Sequence, residues 1–553
     1  MITASRQDQP SPEDRAAPAQ AFDVLIVGAG FGGLYALHKL RGMGLEVLAL
    51  EAAESVGGTW WVNRYPGARV DIQSLEYSYA FSEDLQQDWC WTERYAAQPE
   101  LLRYANHVAD RFDLRRDIRL NTRVLAAHFD EVARRWRVSS ADGGRWTARF
   151  LVLATGPLSS PNLPAFGGAE GGIERFAGRV LHSAAWPKEP LELRGRDVAV
   201  IGTGSSGVQL IPTLADQARA LTVFQRTAAY VVPAHNGPLD VAWEARIKAD
   251  YAGFRARNRN TYSGFGSELT PRPISALDAT AEEREAAFEE RWQVGGLGLL
   301  STFRDLLTNP RANELAAEFV RGKIRQAVRD PATAERLCPH HPIGCKRLCA
   351  GTGYYETFNR PNVVLVDVNA HPIAAITPAG LVAGAREHRF DTLVLATGFD
   401  AFTGPAMRID LRGRGGLRIQ DKWRGGPLNY LGLAVAGFPN LFHIAGPGST
   451  SAFTNFFVMV EHHVDWVADC LAWLDARGHT TIEASTEAES DWVAFVNATA
   501  EKTVYLGCKS WYVGDNVPGK PHVFMPLACG FPAYAKRCAA VATSGYEGFI
   551  FEA

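Results

Sequence analysis

Long hydrophobic runs are missing from this 553-residue chain. The longest, residues 431–438, falls far short of the roughly 18 apolar residues that cross a bilayer as a helix, so no membrane span is expected. An excess of one sign of charge is equally missing. The formal net charge is −3, which leaves no strong field to gather nucleic acid or an anionic membrane, and neither is expected as a partner. Residues 1–21 lack the basic start and apolar middle of a secretory signal. Their Gln, Pro, Ser, Asp and Ala content suits a disordered tail instead. The eight cysteines are too sparse for a disulfide scaffold and favour free thiols in a reducing compartment, with the cytoplasm as the expected location. Cys338, His340, His341, Cys345 and Cys349 crowd a short span, but their spacing does not form the paired knuckles of a zinc ribbon, and no metal is expected.

The chain is longer than one core usually grows, so two or three domains are expected. Residues 22–27 read F-D-V-L-I-V, an apolar run of the buried parallel-strand type. They lead into Gly28, Ala29, Gly30, Phe31, Gly32 and Gly33, then a helical pattern. Gly28 permits a tight turn, Gly30 lets backbone approach a pyrophosphate, and Gly33 lets the helix pack closely on the strand. The helix N-terminus then presents its partial positive charge to phosphate. A second strand over 45–50 ends at Glu51, placed to accept hydrogen bonds from ribose hydroxyls.

Residues 197–201 (D-V-A-V-I) repeat the plan, leading into Gly202, Thr203, Gly204, Ser205, Ser206 and Gly207. The next strand, 221–224, ends in Gln225, Arg226 and Thr227. Glu51 and Arg226 lie 18 and 19 residues after Gly33 and Gly207. An acid there repels a 2′-phosphate, whereas an arginine attracts one and can pair with it in a bidentate way. The first loop is therefore expected to hold FAD and the second NADPH. Residues 150–156 and 392–400 share a strand-then-A-T-G form that resembles the crossings between domains in two-dinucleotide flavoproteins. The expected fold is α/β, with two Rossmann-like dinucleotide-binding domains. The FAD domain spans 22–156 and 391–553, and the NADPH domain 157–235 and 340–390. Charge and helical periodicity over 236–339, densest at 281–292 and 313–328, predict a helical insertion that walls the active site.

Disulfide reductases carry a C-x-x-x-x-C pair soon after the first loop, and the region after Glu51 has none. Instead, Gly57, Gly58, Thr59 and Trp60 precede Tyr65, Pro66, Gly67 and Asp71. Phe176, Gly178, His182, Trp186 and Pro187 spell F-x-G-x-x-x-H-x-x-x-W-P just before the second loop. Both patterns resemble the signatures of type I Baeyer–Villiger monooxygenases, apart from Ser183, where many relatives have Thr. The resemblance extends to Gly344–Arg347, similar to the family's arginine segment, and to residues 509–520 around Trp511, similar to its mobile loop over NADP. Residues 446–452 resemble the phenylacetone and steroid branch.

That resemblance implies hydride transfer from NADPH to the flavin, dioxygen addition to give a flavin peroxide, and attack of that peroxide on a ketone. The product is an ester or lactone, and sulfides are a further substrate class. Arg347 is implied as the fixed cation, because a guanidinium stays protonated and does not quench the peroxide. Asp71 would hold it and Lys346 would reach the 2′-phosphate. Trp511 would close on the cofactor, and His182 suits a hydrogen-bonding hinge better than a base. Ser451, Ala452, Phe453 and Phe456 are candidate pocket lining, together with Phe457, and for all three phenylalanines core packing is the alternative. A heteroatom-only flavin monooxygenase and an NADPH oxidase or flavoprotein reductase stay open as alternatives. A monomer or weak oligomer is expected.

Overall fold

The computed structural model describes residues 20–164, 166 and 172–553. Most of the expected tail, residues 1–19, lies outside them, and Gln20 and Ala21 already belong to the first strand, Gln20–Val27. That strand pairs in parallel with Val47–Leu50, Val24 opposite Val47, and with Arg145–Leu153 on its other side. The helix Phe31–Gly42 connects the first pair. Val24 and Ile26 face one core while Leu25 and Val27 face another. Burial on both faces is why the run is continuous rather than alternating. The sheet runs Asp410–Arg412, Val124–Asp130, Arg135–Ser140, Arg145–Leu153, Gln20–Val27, Val47–Leu50 and Ile118–Arg119, with Leu441–His443 also on Arg145–Leu153.

A second, wholly parallel sheet runs Val363–Asp367, Ala220–Gln225, Asp197–Ile201, Thr392–Leu395 and Arg179–His182. The helix Ser205–Gln217 connects Asp197–Ile201 to Ala220–Gln225. Thr392–Leu395 therefore lies inside the second sheet, and the chain returns to the first only after Leu395, not at 391. The A-T-G pattern marks the end of a strand, and that strand still belongs to the domain being left. The two crossings run side by side. Asn162 N–H donates to Gly398 O at 2.9 Å, Asp400 N–H to Ser160 O at 2.8 Å, and Phe402 N–H to Pro157 O at 2.8 Å.

The interval 236–339 is helical: Val241–Ala249, Tyr251–Arg259, Ala281–Val294, Pro310–Ala327 and Pro331–Leu337. Asp240, Asp250, Thr280, Asn309 and Asp330 cap all five through their side chains, and Thr280 forms a capping box with Glu283. Each cap satisfies first-turn N–H groups that the helix leaves open. The insertion docks on the first domain through Arg255, which donates to Glu76 O at 2.8 Å and Ser78 Oγ at 2.6 Å. Among the described residues no helix is long and apolar enough to cross a membrane.

Glu76 sits in that junction, 4 % exposed, and accepts from Gly266 N–H at 2.6 Å. Burial pushes its carboxyl up to about 7 from 4.5, although the Gly266 bond and Arg255 oppose the shift. The folded chain then holds a proton that the unfolded chain has released, so stability falls as pH rises between 4.5 and about 7. A Glu76→Gln variant is expected to remove up to about 3 kcal/mol of that fall, read as a flatter unfolding midpoint against pH. An unchanged slope in the variant would count against the assignment.

Candidate active site

Both dinucleotide loops begin with a glycine in the left-handed region, Gly28 at φ 105° and Gly202 at φ 111°. A Cβ on Gly28 would come within 2.7 Å of Ala154 O, and one on Gly202 would strike Ala396 O, so side chains are excluded on two grounds. Gly33 and Gly207 pack equally tightly, against the carbonyls of Gly28 and Gly202. The helices that follow carry Gly30 and Gly204 at their N-caps and have no side-chain cap. Their first-turn N–H groups are thus left for a ligand, unlike those of the capped insertion helices, and this fits a pyrophosphate at each loop. A Cβ on Gly204 would meet nothing within 4 Å.

Glu51 is 8 % exposed at the end of its strand. Its carboxylate accepts from Ala29 N–H at 2.6 Å and Ala53 N–H at 2.8 Å. Burial raises its pKa, and the two backbone bonds oppose that. It therefore braces the first loop. The ring of Phe31 turns inward, 4.5 Å from Phe457, so only its backbone is offered to a nucleotide. Gly58, at φ 51°, packs against Gly30, which sets Thr59 and Trp60 beside the first loop.

Arg226 is exposed and, among the described residues, has no carboxylate within ion-pair distance. It lines a cavity of about 800 Å³ with Thr227, Arg336, His340, His341 and Asn369. Thr203 donates to Thr227 O at 2.9 Å and joins the loop to that cavity. Burial and then the neighbouring Arg226 charge lower the Lys346 pKa, so a second cation lies close to Arg226. Two neighbouring cations suit a 2′-phosphate, although Glu335 and Asp367 also line the cavity.

Asp71 and Arg347 meet across 276 residues of sequence. The guanidinium donates Nε to Asp71 Oδ2 at 3.0 Å and Nη2 to Asp71 Oδ1 at 2.9 Å, while Nη1 donates to Ala452 O at 3.0 Å. Burial disfavours the charged guanidinium, but Asp71 outweighs that and holds its pKa above the usual arginine value. Ser451 beside this contact has a buried hydroxyl without a partner. Phe453 stacks on Tyr505 at 4.3 Å and meets Tyr512 edge-on at 5.0 Å, with Phe524 parallel to it at 6.4 Å. Phe456 is half-buried at the start of the helix Phe456–Asp475, whereas Phe457 is core, 1 % exposed among Phe31, Tyr77 and Tyr79.

The segment 508–524 lies over this region. Trp511 stacks on Phe402 at 5.5 Å. Asn516 donates to Phe399 O at 2.6 Å, and Lys520 donates to Asp400 Oδ1 and Ala401 O, both at 2.6 Å. Lys346 donates to Lys509 O. The loop is fastened at one end to the arginine segment and at the other to the second crossing.

The expectation of free thiols fails at one pair: Cys345 and Cys508 form a disulfide. Sparse cysteines say nothing about which two the fold brings together. The dense cysteine span is split, with Cys349 Sγ 3.4 Å from Ser205 Oγ, Cys338 buried elsewhere, and His340 facing outward.

The fingerprint residues tie the domains. Phe176 packs on Phe390 at 5.1 Å, and a Cβ on Gly178 would come within 2.5 Å of Asp391 O. Trp186 is buried, and just beyond Pro187, Lys188 pairs with Glu54 of the first domain. His182 accepts from Ala184 N–H at 3.0 Å, lies 3.4 Å from Thr397 Oγ1, and is held below the usual histidine pKa by burial. It bridges the crossings and suits a hinge. Reading the sequence missed Gln209, which accepts from Tyr65 OH at 2.9 Å and donates to Arg69 O at 3.0 Å, seating the Y-P-G turn on the second dinucleotide helix. It also missed Cys508 and the ring wall of Tyr505, Tyr512 and Phe524.

Comparison with known proteins matches residues 21–251 to a family described as FMO-like, flavin-binding monooxygenase-like. A Baeyer–Villiger monooxygenase from Pseudooceanicola batsensis is 44 % identical over 533 residues, 96 % of either chain. A phenazine N-monooxygenase from Lysobacter antibioticus is 40 % identical, covering 96 % of this chain and 97 % of its own. The solved structure of an oxidized steroid monooxygenase bound to NADP superposes with a TM-score of 0.91 at 49 % identity, over 96 % of this chain and 99 % of that one. With two dinucleotide loops, an arginine held by aspartate between them, and full-length similarity of this order, the chain belongs to the type I Baeyer–Villiger monooxygenases.

Proposed function

We propose that the chain binds FAD at the Gly28 loop and NADPH at the Gly202 loop, and uses dioxygen to insert one oxygen beside a ketone carbonyl, giving an ester or lactone. The observation that carries this reading is Arg347, which donates to both carboxylate oxygens of Asp71 and to Ala452 O where the two domains and the loop converge. When bound, FAD supplies the redox chemistry by which NADPH activates dioxygen.

The chain's own residues supply the rest. Gly30, Gly204 and the uncapped helix amides hold pyrophosphates, Glu51 accepts from a ribose, and Arg226 with Lys346 selects the 2′-phosphate. Arg347 remains a cation throughout and stabilises negative charge developing on the carbonyl oxygen. Trp511, Tyr512 and the stacked rings around Phe453 exclude water and favour an apolar ketone. The reading extends to a monomer or weak oligomer working in the cytoplasm.

The test is NADPH consumption and product analysis with cyclohexanone, phenylacetone and a steroid ketone. One ester or lactone formed per NADPH is expected from at least one of them. Hydrogen peroxide as sole product with every ketone would sink the reading and favour an oxidase or reductase. Because a phenazine N-monooxygenase is 40 % identical, amines and thioethers belong in the same panel. Oxygenation of these without any ester would select the heteroatom reading.

A further inference from the structure

Oxygen insertion makes no use of the bond that joins the two halves of this site. Cys345 stands two residues before Arg347, and Cys508 three residues before Trp511. Their sulfurs are bonded, with Cα atoms 6.1 Å apart and 163 residues between them in sequence. Cys345 is buried and Cys508 is partly exposed, so one sulfur faces attack and the other is the shielded leaving group. The His341 imidazole, Nδ1 at 3.5 Å, lies beside the Cys345 sulfur. Lys346 follows directly in sequence and donates to Lys509 O, next to Cys508.

We propose that Cys345–Cys508 is a thiol–disulfide modification site. Oxidised, it pins the root of the 508–524 loop to the arginine segment; reduced, it frees that root and speeds nucleotide exchange.

The far end of the loop is held separately by Asn516 and Lys520 on residues 399–401. Breaking the disulfide thus turns a clamp fixed at both ends into a flap, whose root keeps the Lys346 to Lys509 hydrogen bond. A covalent link removes open conformations that a hydrogen bond of this kind still permits.

The chemistry balances with a dithiol as reductant. Its thiolate attacks Cys508 Sγ, the Sγ–Sγ bond breaks, and Cys345 departs with the electron pair as a thiolate beside His341 and the Lys346 cation. The second thiol of the reductant resolves the mixed disulfide and frees Cys508. Two electrons and two protons pass to the protein, and the reductant leaves as its own disulfide. A low-molecular-weight disulfide runs the sequence in reverse. The same three side chains would offer a metal three donor atoms within 4.8 Å. Arg226 and Lys346 nearby repel a cation, and two bonded sulfurs are not free ligands.

The holoenzyme is divided, treated with dithiothreitol or with glutathione disulfide, and desalted. A non-reducing peptide map is expected to join the Cys345 and Cys508 peptides only in the oxidised sample, with eight free thiols after reduction. Stopped-flow displacement of NADP+ is expected to be roughly five-fold faster in the reduced protein. Cys508→Ser is expected to release NADP+ at the fast rate under both treatments, and should it not fold, the wild-type pair decides alone. Tryptic cleavage at Lys509 reads the same loop with no nucleotide present and is expected to accelerate on reduction. Failure of NADP+ to bind would therefore strike the cofactor reading, whereas this one stands or falls on the peptide map and the cleavage rate. Absence of the joined peptides after oxidation, or equal cleavage in both states, would overturn it.

Discussion

An Arg347→Ala variant loses ester formation by at least about 10³-fold while continuing to oxidise NADPH, the electrons ending in hydrogen peroxide. A donor in a preorganised oxyanion site is worth about 10²–10³ in rate when neutral, and a guanidinium adds a full charge. Arg347→Lys is expected to rescue little, because one ammonium cannot reproduce the three contacts to both oxygens of Asp71 and to Ala452 O. Truncation also leaves Asp71 without its partner, and removing one member of a buried pair costs about 3–5 kcal/mol. The pair is about a quarter exposed, which places the cost at the low end. A double Arg347→Ala, Asp71→Ala variant should regain part of the melting temperature and none of the ester. Ester production by Arg347→Ala at more than about a tenth of the wild-type rate would mean that the charge developing in the reaction is held elsewhere.

Arg226→Ala is expected to raise KM for NADPH by roughly 30- to 150-fold and to leave KM for NADH almost unchanged. A charge-assisted bidentate contact to phosphate is worth about 2–3 kcal/mol, and only NADPH carries that group at this position. Lys346 lies close to Arg226, so Lys346→Ala should add a smaller increment, and the two should be less than additive because both would answer one phosphate. Equal effects on NADH and NADPH would move Arg226 away from the 2′-phosphate and make it a general support of the loop.

The parts of this architecture that showed in the sequence are those imposed by local backbone. Gly28, Gly33, Gly202 and Gly207 are written into the chain because a carbonyl lies where each Cβ would go. Strands buried on both faces read as unbroken apolar runs. The pairing of Asp71 with Arg347 came through family resemblance, since a contact spanning 276 residues has no periodicity to betray it. Cys508 and Gln209 had no such help and went unread. Neighbouring phenylalanines behaved differently for a simple reason. Successive helical residues point about 100° apart, so Phe457 enters the core while Phe456 does not. The domain boundary was misplaced by a strand because A-T-G signals where a strand ends and carries no mark of the sheet to which it belongs.

The paired crossings have a mechanical consequence. Residues 157–162 and 398–402 run antiparallel, with Pro161 opposite Phe399 and rungs at Asn162, Asp400 and Phe402. A single connector would let one nucleotide lobe swivel freely about it. Two connectors cross-linked along their length form a flat strap, which flexes out of its plane and resists torsion. Relative rotation of the two lobes is thereby expected to be confined to one axis. Asn516 and Lys520 grip this strap at 399–401 rather than either lobe, so the flap rides on the axle and not on the doors.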